Sequence, residues 1–488
     1  MEGSAEGRDG ARGRGSAGDP DPWARGLLAL ALAVGLLRFL WLDRWSLWLD
    51  EVYTLADARN ALELRNPLGY RLFGWFYELF EGRPTEAELR LPAALLGWLV
   101  LPLTYWCGRA FVGARAAACA ALLVACSPWH LYWSQTARFY TLAQVFALLG
   151  VRLAVDGLRG RSRPELRLVL GGLAITAAAA THPSAAFLAA GLFGVLFLAR
   201  LAGRWPGPPE ELVRARGAWR LVFALSLVGL VVGGLWASVV WQKWSERQGS
   251  SSPVHLILSA GYLVTPGIGL ALLVGAWRSL RERASWSLFL LGVVVATAGL
   301  ALAASLRVRV SAQYVFVLLP FLTLLAGAAF RGPVRGAATW GRFALAVLCF
   351  LPLTVESGLY FLQRHGDRPR WREAFAYVFE ERAPTDLVLA MEAPVGEYYW
   401  NPRSDDLRKL ERLVYLDEFY ADVPKDWLRY GRTIWFVVNQ EMFEDWPSEE
   451  RERVRTLLES SAERVASFLV PLSPRDLDVH VYRLTPDA

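Results

Sequence analysis

The feature that most constrains this chain is a succession of apolar stretches almost free of charge, clearest over 27–42, 91–106, 221–241 and 288–306. The hydrocarbon core of a bilayer takes about 20 helical residues, each rising about 1.5 Å, so stretches of this length read as membrane spans. No water in that layer can satisfy an open backbone, and each span must therefore be a helix. Of 488 residues, 54% are hydrophobic and 22 are Trp, an apolar share that the core of a water-soluble domain does not absorb. The tryptophans read as interfacial anchors rather than sugar-stacking platforms.

The formal net charge is +6. A basic balance alone would admit nucleic acid, but the arginines gather in short clusters between apolar runs. These are Arg159, Arg161 and Arg163; Arg214, Arg216 and Arg220; and Arg278, Arg281 and Arg283. That distribution orients a membrane protein, cytoplasmic loops carrying the positive charge, and it excludes nucleic acid as a partner. Cys107, Cys119, Cys126 and Cys349 sit on apolar segments with no CxxC pair, as buried small side chains rather than a disulfide framework or a metal site.

Placing the arginine clusters on one side yields a consistent topology. Residues 1–25, rich in Gly, Ala, Arg, Ser and Asp, read as a disordered cytoplasmic tail. No small-residue cleavage motif follows the first apolar run, so it reads as a retained helix. About eleven spans are expected, over 26–42, 90–107, 114–131, 136–157, 167–182, 184–201, 221–241, 255–277, 286–306, 312–330 and 341–362. An extracytoplasmic loop at 43–89 holds two amphipathic surface helices, 52–64 and 68–80. No internal repeat and no corresponding pair of Gly/Pro-broken spans is evident. From 363 to 488 the composition turns charged and mixed. Strands are expected over 386–391, 412–416, 433–438 and 479–484, and helices over 371–382 and 448–469. The fold class is thus a polytopic helical membrane protein ending in a small extracytoplasmic α/β domain.

Chemistry concentrates at a few places. Asp50 and Glu51 lie just outside the first span, where paired carboxylates can deprotonate an acceptor hydroxyl or hold a cation beside a phosphate. The plainer reading is that they are solvated charges opening a surface helix. Arg138 and Tyr140 lie near the outer end of the fourth span, and an arginine there faces a polar cavity or snorkels to the interface. A phosphate is a natural partner for its guanidinium. His182, at the turn between spans five and six, either contacts the same cavity or caps its turn. Arg307 and Arg309 breach the positive-inside pattern, as they would to meet an anionic lipid-linked substrate or simple headgroups.

These residues resemble the C-type, polyprenyl-phosphate-dependent glycosyltransferases, the group that includes dolichyl-phosphate-mannose protein mannosyltransferases and bacterial aminoarabinose lipid A transferases. The likeness spans roughly 26–362. It rests on Asp50-Glu51 after the first span, the helix from Pro67-Leu68 to Phe80, Leu89-Arg90-Leu91-Pro92, Ala137-Arg138-Phe139-Tyr140, and the run from Tyr314 to Pro320. The resemblance implies an inverting transfer of a sugar from an undecaprenyl or similar phosphate to an extracytoplasmic lipid, glycan or protein. Asp50, with Glu51 beside it, would activate the acceptor. Arg138, with Tyr140, His182 and Arg309, would bind the donor phosphate. The chain departs from the pattern at Thr136, where relatives carry a carboxylate, at Gln313, where an arginine is common, and in having Pro67 alone ahead of the surface helix. No cofactor is specified, and a divalent cation is left open.

A transporter or flippase of lipid-linked glycan is the alternative, and a noncatalytic membrane scaffold a third. The carboxylate pair outside the first span favours the enzyme, because transporters place ionisable groups near the midplane. Arginine far outnumbers lysine, with Lys243, Lys409 and Lys425 the only lysines, as expected of a GC-rich bacterial genome and hence of a bacterial plasma membrane.

Overall fold

The structure, a computed structural model, describes residues 21–60, 67–80, 83–202, 220, 252–308, 310–331, 338–400, 413–414 and 432–485. Helix α1 (Pro22–Gly35) opens on Pro22, with the Asp21 carboxylate accepting from the Trp23 N–H at 3.1 Å. Two short helices follow, α2 (Leu49–Asn60) and α3 (Pro67–Tyr77). The first turn of α2 holds Asp50 and Glu51, where the helix dipole favours negative charge. Helix α4 (Glu86–Gly108) starts in a capping box between Thr85 and Glu88.

The next span breaks. Helices α5 (Ala114–Cys126) and α6 (Pro128–Ser134) meet at 64°. Pro128 has no N–H to give the Val124 carbonyl, and the buried Arg38 guanidinium donates to that oxygen at 3.0 Å instead. Helix α7 (Tyr140–Leu158) is the most enclosed of the span-length helices, with α4 and α8 (Pro164–Thr181) packed on it. Helix α9 (Ala185–Leu201) returns beside α12 (Ser285–Ser305). Between them α10 (Pro253–Val264) and α11 (Pro266–Arg281) turn through 92° at Thr265, whose φ of 67° and following proline end one helix and start the next. A 3-10 turn over Ala312–Leu318 carries Tyr314 into α13 (Leu319–Gly327), and α14 (Ala338–Leu362) is the last long helix.

Among the described residues, six helices are long and apolar enough to cross a membrane, or up to eight if each bent pair is one span. The chain is a multi-pass membrane protein. The expected seventh span, 221–241, lies outside the described residues, as do the tail over 1–20 and Arg309. The bend at Thr265 corrects the expectation of an unbroken span over 255–277. The stretch 255–277 is two helices, because Thr265 and Pro266 cannot continue one. The fourth span starts at Tyr140 rather than 136, and 135–139 is non-helical.

Beyond α14 the chain builds a five-stranded sheet ordered β2-β1-β3-β5-β4, with β1 Leu387–Ala390, β2 Leu413–Val414, β3 Ile434–Asn439, β4 Glu463–Phe468 and β5 Val479–Leu484. Strand β1 is parallel to β2 and β3, and β5 is antiparallel to β3 and β4. Helices α15 (Trp371–Glu381), α16 (Ala393–Trp400), α17 (Gln440–Glu444) and α18 (Ser448–Ser461) accompany it. The expected helix over 448–469 ends at Ser461. The residues after it pair with β5 as an edge strand whose charges, such as Glu463 bonded to Arg483 at 2.8 Å, stay accessible. One core joins this sheet to the short helices: Leu47, Val52, Leu55, Phe73 and Tyr77 pack with Trp371, Phe375, Val388 and Phe436. A second core, of α1, α4, α5, α7 and α13 among others, fills the bundle.

Candidate active site

Asp50 and Glu51 stand side by side in sequence and face different surroundings. The Glu51 side chain is fully buried. The Arg90 guanidinium donates to both its oxygens at 2.8 Å, the Ala137 N–H donates to Oε1 at 2.8 Å, and the Trp48 N–H to Oε2 at 3.2 Å. Arg368, from the turn after α14, adds a second buried cation 3.7 Å away. Burial pushes the Glu51 carboxyl up, but the Arg90 charge and its hydrogen bonds, with Arg368 and the Ala137 N–H, outweigh it and hold the group below its ordinary value. Glu51 is therefore an ionised strut joining α2, α4 and the segment before α7.

That segment is pinned residue by residue. The Gln135 amide donates to the Leu40 carbonyl at 2.7 Å, and its Oε1 accepts from the Tyr360 hydroxyl at 2.8 Å. Arg368 donates to the Gln135 carbonyl at 2.8 Å and the Thr136 hydroxyl at 2.7 Å. Gly69 lets α3 close over it, since a Cβ there would come 2.6 Å from the Phe139 ring.

Asp50, one residue before the strut, keeps its side chain 36% exposed, with the Arg138 guanidinium 3.8 Å away. Arg138 is itself buried. Its Nη1 donates to the Thr54 hydroxyl at 3.0 Å, the Tyr70 and Tyr140 hydroxyls lie within reach of its charge, and its Nε is buried without a hydrogen-bond partner. The Tyr140 ring lies 4.5 Å from the His182 ring, which lies 5.8 Å from that of Tyr314, and His182 Nδ1 is 2.7 Å from the Ser184 hydroxyl.

Asp50, Arg138, Tyr140 and His182 thus form one connected group, reached from α2, the start of α7 and the α8–α9 turn, with Glu51 directly behind. Arg309 is outside the described residues. Arg307 is exposed at the end of α12. Thr54, Tyr70 and the Glu51–Arg90–Arg368 knot were missed in the sequence reading. Arg90 lies within the Leu89-Arg90-Leu91-Pro92 motif, whereas Arg368 carries no local signal. Among the described residues, no group of three or more His, Cys, Asp or Glu converges. A cavity of about 370 Å³ lies away from this group, between α11 and α14, lined by Leu270, Arg278, Arg342 and Leu348 among others.

No family model matches the sequence, and a search of curated proteins finds no match. Solved structures do match. ArnT from Cupriavidus metallidurans in the apo state superposes with a TM-score of 0.56 at 16% identity, covering 94% of this chain and 97% of that one. The same protein bound to undecaprenyl phosphate gives 0.54 at 18% identity, covering 94% and 98%. The Archaeoglobus fulgidus oligosaccharyltransferase in the apo form gives 0.55 at 11% identity, covering 86% and 70%. In fold, the chain is similar to the C-type, polyprenyl-phosphate-dependent glycosyltransferases to which these structures belong.

Proposed function

We propose that this protein is an inverting glycosyltransferase that moves a sugar from a polyprenyl-phosphate carrier to an extracytoplasmic lipid, glycan or protein acceptor. The observation that carries the reading is Asp50, a part-exposed carboxylate 3.8 Å from a buried arginine whose Nε has no partner. A carboxylate and a buried cation in one site supply a base for an attacking hydroxyl and a counter-charge for a departing phosphate. Asp50 takes the proton of the attacking hydroxyl. The Arg138 guanidinium, with the Tyr140 hydroxyl and the His182 ring, meets the charge that grows on the departing phosphate. Glu51 takes no part in proton transfer; its four partners fix the start of α2 and so aim Asp50. In this reading the α2, α3 and sheet end of the bundle is extracytoplasmic, the region 363–488 is a soluble domain on that side, and the membrane is a bacterial plasma membrane.

The bends at Pro128 and Thr265 are what a flippase of lipid-linked glycan would also show, and this is the second reading. One experiment separates the two. Membranes containing the protein are incubated with a panel of radiolabelled undecaprenyl-phosphate sugars, and label transfer is followed for wild type and Asp50→Asn. A transferase loses about a hundredfold or more in turnover while remaining folded and inserted. A flippase keeps moving the lipid, and that result sinks the glycosyl-transfer reading.

A further inference from the structure

The sheet delivers one more carboxyl to Asp50. Glu392 follows β1, at the carboxyl end of the three parallel strands, the edge where open α/β sheets gather ligands. Helix α16 starts one residue later and packs on α2, and the Leu47 N–H, just ahead of α2, donates to the Tyr399 hydroxyl of α16 at 2.7 Å. Glu392 is 6% exposed and its Oε2 is buried without a hydrogen-bond partner. Such an atom is costly to bury unless something satisfies it. Burial first, and the nearby Asp50 charge second, push this carboxyl up to about 8, so at neutral pH it holds its proton.

Two carboxyls on one side of a site select what can enter. A phosphate acceptor is already ionised, gains nothing from a base and is repelled by Asp50. A hydroxyl gains nucleophilicity from the base and, as both donor and acceptor, offers the hydrogen-bond partner that Oε2 lacks. We propose that Glu392 is a positioning residue on the acceptor side of the site, its free Oε2 hydrogen-bonded to an uncharged, hydroxyl-bearing acceptor whose attacking oxygen faces Asp50. The proposal rests on the glycosyl-transfer reading. In the transfer the acceptor O–H bond breaks and its proton passes to Asp50. The acceptor oxygen bonds to the anomeric carbon as the bond from that carbon to the phosphate oxygen breaks, and the electron pair leaves with the polyprenyl phosphate beside Arg138. Glu392 exchanges no proton.

The test uses full-length protein in membranes and the undecaprenyl-phosphate sugar that wild type transfers. The labelled product is heated in mild acid, which cleaves a glycosyl phosphate and leaves an O-glycoside intact. An acid-stable product is expected; an acid-labile one overturns the proposal. Glu392→Gln, which keeps the shape and neutrality of the protonated acid, should retain about half the rate or more. Glu392→Ala should lose about tenfold, with undecaprenyl-phosphate binding, read as protection against thermal unfolding, within about twofold of wild type. Gln as impaired as Ala, or Ala at the wild-type rate, overturns the positioning role. Should the Ala variant not fold, Glu392→Asp replaces it, retracting the carboxyl by one methylene. A several-fold loss in a folded protein is then expected, and a wild-type rate overturns the proposal. No transfer by wild type from any donor takes down the glycosyl-transfer reading, and this one with it. Transfer that is normal in kind but indifferent to Glu392 takes down this one alone.

Discussion

Consecutive residues on a helix point about 100° apart, which is why Asp50 and Glu51 meet different surroundings. Glu51 turns inward to Arg90 and Arg368, and Asp50 stays at the rim beside Arg138. Their substitutions should therefore fail in different ways. Glu51→Ala leaves two buried guanidiniums without their carboxylate and should cost about 3–5 kcal/mol, seen as a large fall in thermal unfolding temperature in detergent. Asp50→Asn should leave that temperature unchanged while abolishing transfer. Equal melting temperatures for wild type and Glu51→Ala would show that Glu51 is not a strut.

At the scale of elements, the turn after α14 connects the last span to the site. Gly366 has φ of 64°, and a Cβ there would lie 2.7 Å from the Trp45 ring. The turn aims Arg368, which bonds the Gly366 carbonyl at 2.8 Å and reaches Gln135, Thr136 and Glu51. Gly366→Ala meets a left-handed backbone, costing about 1–2 kcal/mol, and the clash with Trp45 adds to it. The expected outcome is a lower unfolding temperature together with slower transfer, because Arg368 loses its aim. A change in stability with kcat untouched would separate the turn from the site.

For the whole molecule, the sheet lies at the same end as the candidate site, since it shares one core with α2 and α3 and leads into α16, which packs on α2. That docking should depend on pH. The carboxyl of Glu392 stands at about 8 in the folded protein against an ordinary 4.5, with Asp50, Arg475 and the Leu49 N–H acting on it. Between those values the folded chain binds more protons than the unfolded one, so stability falls as pH rises from about 4.5 to about 8 and levels off above. Thermal unfolding of wild type measured against Glu392→Gln from pH 5 to 9 should show wild type losing ground to the variant up to about pH 8. Parallel curves would show that Glu392 titrates normally.

The positions of the long helices and of four of the five strands were legible in the sequence, because hydrophobic length and alternation are local properties of the chain. So was the neighbourhood of Asp50 and Arg138, each marked by a charge beside an apolar run. The bend at Thr265 was misjudged, since whether a proline ends a span or only kinks it depends on the helices packed around it. Which of two adjacent carboxylates is strut and which is rim, and the arrival of Arg368 and Glu392 from beyond the last span, were decided only by tertiary packing. Burial and pairing of charge join residues far apart in the chain, and no local pattern encodes them.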